Sequence, residues 1–312
     1  MPINMVNILS VELDERLDQA GFRHAATAVG ARLGAERIGA GVYEAEPGVP
    51  IWPYHYHHGV EEWLYVLTGA PVLRDPAGER TLTPGDLICF PSGHLGAHTV
   101  KGPGRFVIFS TDGAAPWMSV YPDSDKISGP GGILLRNSAV GYWHGEGTAG
   151  PSEPVEVVRE PPTSPPQPAL NTLALPGGAN QLGPLLGAER LDATVADLDP
   201  GAASDPYHYT YGREEWLLVL TGTPTLRHPD GESSLAVGDL VCFPEGPTGA
   251  HQLINRDPSP ARTLLLSTTG WPANVYHPDT RRWLIHNAPG DDVEVRETGG
   301  LAGSLPPPTR GG

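Results

Sequence analysis

The segment Tyr54-His55-Tyr56-His57-His58-Gly59-Val60-Glu61-Glu62 concentrates side chains that bind metal ions or move protons. In an extended strand, residues two apart share a face, so His55 and His57 can aim two imidazoles at one point. His58, Gly59 and Val60 read as a turn, and a turn of that length can return Glu62 to the side of both histidines. His98 is distant along the chain and must arrive on a neighbouring strand. Three imidazoles and a carboxylate suit one divalent ion such as Fe, Mn, Ni, Co or Zn. Glu62 is also the candidate catalytic base. The plain alternative is a cluster of surface histidines.

The pattern recurs. LGAERIGAGVYEAEPG from Leu33 matches LGAERLDATVADLDPG from Leu186, and the offset of 153 holds without a gap to His98 and His251. About 39 of those 66 positions are identical, which marks an internal duplication. The second copy keeps His208, Glu215 and His251 but has Thr210 where the second imidazole would stand. A neutral hydroxyl is a poor ligand for such ions. Either this copy binds no metal, or His208, Glu215 and His251 form a weaker two-histidine, one-carboxylate site.

Neighbouring residues receive quieter readings. Glu61 and Glu214 face away from the site and are read as outward charges. His94 is placed on a loop at the rim. Tyr54, Tyr56, Trp63 and Tyr65 recur, or nearly so, as Tyr207, Tyr209, Trp216 and Leu218, and are read as packing residues. His24, His144, His228, His277 and His286 lack coordinating spacing and are assigned to surface or loops. Cys89 and Cys242 hold equivalent places, so each is expected in its own domain, unpaired, as a small core residue.

The elements that must position these groups are short strands. EEWLYVLTG and EEWLLVLTG are apolar runs ending in Thr-Gly. DPAG and HPDG separate strand-like pairs and predict hairpins. PGDLICFP and VGDLVCFP read as strands stopped by proline. Residues Leu9 to Ala20 carry a weak helical pattern. With 40 Gly and 35 Pro in 312 residues, the composition fits an all-β protein with many tight turns, built as sandwiches or jelly-roll barrels. The reading places one barrel at 1–150, a Pro-rich linker at 151–169, a second barrel at 170–298 and a loose tail at 299–312.

A net charge of −16 disfavours nucleic acid and anionic membrane surfaces as partners. No apolar run approaches a membrane span. The N-terminus shows no signal-peptide pattern, and two unpaired cysteines fit a reducing cytoplasm.

His55-x-His57-x4-Glu62-x6-Gly69 followed by Gly85-x5-Pro91-x-Gly93-x4-His98 resembles the two motifs of the cupin superfamily. Counting both copies, the resemblance covers about two-thirds of the chain. It implies two tandem double-stranded β-helix barrels, a bicupin, with one divalent metal in the first and a doubtful second site. The gap before His98 is longer than the family's usual one, and the Asn common after that histidine is missing from the first copy but present as Asn255 in the second. By resemblance, the function is a metal-dependent enzyme on a small organic molecule, with dioxygenase chemistry foremost. A zinc isomerase or lyase, or a non-catalytic small-molecule sensor, are the alternatives. A homodimer is one candidate assembly, although two barrels in one chain can pack as a pseudo-dimer, which lessens the need for a partner.

Overall fold

The computed structural model describes residues 4–111, 117–141, 144–146, 151–152, 154–157, 159–160, 165–178 and 180–297. The expected tail at 299–312 and part of the Pro-rich linker lie outside them.

Each repeat folds into a barrel of antiparallel strands. In the first, the main sheet runs Ala169–Asn171, Asp86–Phe90, Glu62–Gly69, Gly104–Thr111, Ile38–Ala45, Phe22–Ala28, Glu15–Gln19. A second sheet carries Tyr56–His58, Met118–Tyr121, Lys126–Gly129 and Gly132–Leu135, and a third holds the DPAG hairpin with Thr99–Lys101. The second barrel repeats this plan around Leu191–Leu198, Glu215–Thr221, Asp239–Phe243 and Ala261–Thr268. The HPDG hairpin forms as the sequence predicts, pairing Thr225–His228 with Gly231–Ser234.

Two strands cross between the repeats. Met5–Asn7 pairs with Asp239–Phe243 of the second barrel, and Ala169–Asn171 pairs with Asp86–Phe90 of the first. Asn7 Nδ2 donates to Asp239 Oδ1 at 2.9 Å, and Asn171 Nδ2 donates to Asp86 Oδ1 at 2.8 Å. The expected helix after Leu9 is instead a hairpin. Glu15–Gln19 pairs with Phe22–Ala28, and Ala20 and Gly21, both at positive φ (55° and 88°), make the two-residue turn that matches the twist of the flanking strands.

The central strand of each barrel is buried on both faces, which explains its unbroken apolar run. Leu64 and Val66 point into the first barrel's own core. Trp63 and Tyr65 point the other way, into a core shared with Leu191, Trp216 and Leu218 of the second repeat.

Glu61 follows Trp63 and Tyr65, and here the expectation of an outward charge fails. The residue is 1% exposed, and its carboxylate faces the other repeat. It accepts N–H bonds from Glu189 (2.7 Å), Arg190 (3.0 Å) and Leu191 (3.0 Å) of the other repeat, and from Trp63 Nε1 (2.9 Å). Glu214, equally buried, returns the arrangement on the N–H groups of Glu36, Arg37 and Ile38 and on Trp216 Nε1. The face opposite the site is the partner barrel, not solvent. Cys89 and Cys242 are unpaired and buried, and burial raises both thiols. Among the described residues, no helix is long and apolar enough to cross a membrane.

Candidate metal centre

His55 and His98 meet across an isolated antiparallel bridge. His55 N donates to His98 O at 3.1 Å, and His98 N donates to His55 O at 2.8 Å. His57 sits on Tyr56–His58 and shares a face with His55. Gly59, at φ 82°, allows the reversal that brings in Glu62, the first residue of its strand. The imidazole of His55 lies 4.7 Å from that of His57 and 4.9 Å from that of His98, centroid to centroid. Glu62 Oε2 is 3.2 Å from His57 Nε2 and 3.6 Å from His98 Nε2. One donor atom each from His55, Glu62 and His98 lies within 4.8 Å of the others.

Each ring is held from behind. His55 Nδ1 lies 2.9 Å from the Pro53 carbonyl and His98 Nδ1 2.9 Å from the Gly96 carbonyl. A carbonyl only accepts, so both Nδ1 atoms carry the proton and both Nε2 lone pairs face inward. His57 Nδ1 lies 2.9 Å from Ser119 Oγ. Phe90 stacks on His98 at 3.7 Å.

Burial, then the neighbouring His98 and His57, lowers His55 to about 3. Burial is also the main cause that lowers His98, against the pull of Glu62. Burial would raise Glu62, but the close imidazole of His57, with those of His98 and His55 beside it, outweighs burial and leaves the carboxyl at about 2. His55 and His98 are therefore held toward the neutral form and Glu62 toward the ionised one, the forms that ligation requires. Glu62 Oε2 and His98 Nε2 are buried without a hydrogen-bond partner. They are acceptors facing acceptors, and a cation is the group that satisfies both.

In the second barrel, His208 and His251 form the same bridge, with ring centroids 4.6 Å apart. Their Nδ1 atoms are held at 2.9 Å by the Pro206 and Gly249 carbonyls. His208, Glu215 and His251 also bring donors within 4.8 Å of one another. Thr210 donates to Glu215 Oε2 at 3.1 Å. Burial raises Glu215, with His208 and Thr210 opposing, and burial and then His208 lower His251 to about 3. A cavity of about 200 Å³ reaches this set.

These shifts set an acid limit. His55, His98 and His251 titrate lower in the folded chain than the ordinary value near 6.5. As pH falls, the unfolded chain binds protons first, so stability drops. Glu62 adds to the loss below 4.5, while Glu215, raised, opposes it. The metal-free protein is expected to lose melting temperature steadily from about pH 6.5 to about pH 4 by circular dichroism. A flat profile over that interval contradicts the buried, neutral histidines.

A cupin-domain family model matches residues 41–111 and again residues 194–267. The chain is a bicupin. Oxalate decarboxylase from Bacillus subtilis, described with Mn(II) centres, superposes with a TM-score of 0.51 at 15% identity, covering 86% of this bicupin and 78% of that chain. A cupin-superfamily sugar phosphate isomerase from Silicibacter pomeroyi is 28% identical over 40% of this chain and 85% of its own, with a TM-score of 0.37. No curated protein sequence matches the chain.

The bicupin brings together His55, Glu62 and His98 of the first barrel and His208, Glu215 and His251 of the second; His57 lies outside the first group but within 3.2 Å of Glu62. His58 is exposed and His94 lines a separate outer cavity with Tyr56 and Arg136; neither joins a donor set. Tyr56, Trp63 and Tyr65 are buried, while Tyr54 lies under the Arg74 guanidinium. Two histidines assigned to surface or loops are buried instead. His228, 8% exposed, bonds Ser233 Oγ at 3.0 Å, and His277 is 5% exposed beside His208. His24 is half-buried against the Ile51 carbonyl, His286 is half-buried against Asp292, and His144 is exposed.

Sequence reasoning missed the walls of the first site. Trp52 presents its edge to His55 and His98, and Tyr43 stacks on Phe106 beside it. The equivalent places in the second barrel hold Asp205, Ala196 and Thr263. That contrast between the copies was the available signal.

Proposed function

We propose that this bicupin is a metal-dependent enzyme acting on a small organic molecule, with dioxygenase-type oxidoreductase chemistry in its first barrel. The observation that carries the reading is the convergence of His55, Glu62 and His98, with His57 beside them at 3.2 Å from Glu62, around two buried acceptor atoms lacking partners. A divalent ion held there would keep one or two positions open and a net positive charge, supplying Lewis acidity toward an enolate, catecholate or carboxylate oxygen and a place for O₂.

The chain's own residues set the rest. The Pro53 and Gly96 carbonyls and Ser119 fix the imidazoles, so no reorganisation is needed when substrate arrives. Trp52, Tyr43 and Phe106 exclude water on one side. His57 and Glu62, with side chains 18% and 16% exposed, mark the side open to solvent. The Glu62 carboxylate, part of that side, would be the base that takes a proton from an acidic C–H or O–H of the substrate.

The test is oxygen uptake by protein loaded separately with Fe(II), Mn, Ni, Co or Zn, offered diketones, flavonols and hydroxylated aromatics. Uptake with Fe, Mn or Ni but not Zn is expected. Turnover with Zn alone and no oxygen uptake would replace the oxidative reading by isomerase or lyase chemistry. Tight ligand binding without turnover under any ion would make the protein a sensor.

A further inference from the structure

Thr210 removes an imidazole from the second barrel, yet the strand beside it supplies another. In the first barrel, Met118–Tyr121 runs antiparallel to Tyr56–His58, with Ser119 opposite His57. In the second, Ala273–His277 runs beside Tyr209–Tyr211, with Val275 opposite Thr210. Continuing each register by two residues sets Tyr121 beside His55 and His277 beside His208. The ring contacts agree: Tyr121 stacks on His55 at 5.9 Å, and His277 lies 5.9 Å from His208. Three positions thus differ together. His57 and the serine that holds its Nδ1 become Thr210 and Val275, and a tyrosine becomes His277.

We propose that His277 is a relocated metal ligand, completing a second divalent-metal site with His208, His251 and Glu215. Both nitrogens of His277 are buried without a hydrogen-bond partner among the described residues, and the residue is 5% exposed. An imidazole with nothing to do there would leave a donor and an acceptor unsatisfied. Two imidazoles on one ion at about 2.1 Å place their centroids about 4.6 Å apart at a right angle and about 5.9 Å apart near 130°. His208–His251 at 4.6 Å and His208–His277 at 5.9 Å match these two separations, with His277 just outside the set of His208, Glu215 and His251 whose donors lie within 4.8 Å of one another.

The surroundings give this second ion a different task. Where the first barrel has Trp52, this one has Asp205, which lines the cavity with Ser204 and Glu215, while the Asp192 carboxylate there is taken up by Gln181, Gly183 and Ala193. Two carboxylates in place of one offset a divalent charge, so the ion is a poorer Lewis acid and a better structural clamp. Hard, partly hydrated divalent ions such as Mn²⁺ suit the oxygen-rich lining, and Zn²⁺ suits the imidazoles.

The test uses the full chain. Wild type, incubated with Mn²⁺ or Zn²⁺ and then gel-filtered, is expected to hold two equivalents. A His57→Ala/His98→Ala variant, with the first set disabled, is expected to hold one. In that background, nitrogen hyperfine structure of bound Cu²⁺ should count three imidazoles, and His277→Ala should lower the count to two and weaken binding at least tenfold. A count of two before His277 is touched overturns the proposal without relying on the variant's folding. So does a second barrel that binds no ion, or binding unchanged by His277→Ala. None of these results bears on the first barrel, whose metal is read from the difference between wild type and the double variant.

Discussion

Glu62→Gln is expected to lower turnover by about 10²–10⁴-fold and to weaken metal binding at least about tenfold. Glu62 is the one carboxylate among the four donors of the first barrel. Glutamine keeps its size but removes the negative charge that three imidazoles lack, and it turns one acceptor into an amide N–H aimed at the lone pair of His57 or His98. In the metal-free protein the depressed carboxyl favours the folded state, so Glu62→Gln is expected to lower its melting temperature as well. Kinetics on the substrate found by oxygen uptake, beside a chelator competition for the metal, separate the two effects. Both values within twofold of wild type would remove Glu62 from the site.

Glu61→Ala, one residue away, is expected to act mainly on the fold. It should cost about 4 kcal/mol of stability and lower the melting temperature by about 10 °C, because three backbone N–H groups and the Trp63 indole lose their buried acceptor together. Replacing a charged acceptor leaves those donors buried rather than returned to water, which is why the loss exceeds that of one ordinary hydrogen bond. Glu214→Ala should match it through Glu36, Arg37, Ile38 and Trp216. Since Glu214 is not part of the first donor set and its carboxylate is held at the interface, metal binding in the first barrel by folded Glu214→Ala should equal wild type. Melting temperatures within 2 °C of wild type would mean the two carboxylates do not join the barrels.

The contrast between these neighbours shows where the sequence speaks and where it stops. Strand alternation alone places Glu61 and Glu62 on opposite faces, and spacing alone collects His55, His57, Glu62 and His98. What lies on the far face is a tertiary fact. Nothing local distinguishes water from a second barrel, so a buried latch read as a surface charge. The hairpin at Ala20-Gly21 was hidden for a related reason: a charged, alternating edge strand resembles a polar helix until its partner strand is known. Met5–Asn7 and Ala169–Asn171 are three residues each, too short to show a period, and they find their partners in opposite repeats. His277 escaped because the gapless match ends at His251. Beyond it the equivalence shifts, with Ser119 and Val275 facing His57 and Thr210, so a fixed offset no longer aligns Tyr121 with His277. Trp52 gave no repeat to notice because its counterpart is Asp205.

The most direct measurement is an anomalous difference map from crystals grown with Mn²⁺ or Zn²⁺. The expected result is a peak in the first barrel at coordination distance, about 2.0–2.3 Å, from the Nε2 atoms of His55, His57 and His98 and a carboxylate oxygen of Glu62. An ion bound elsewhere, with those four side chains left uncoordinated at saturating metal, would contradict the account.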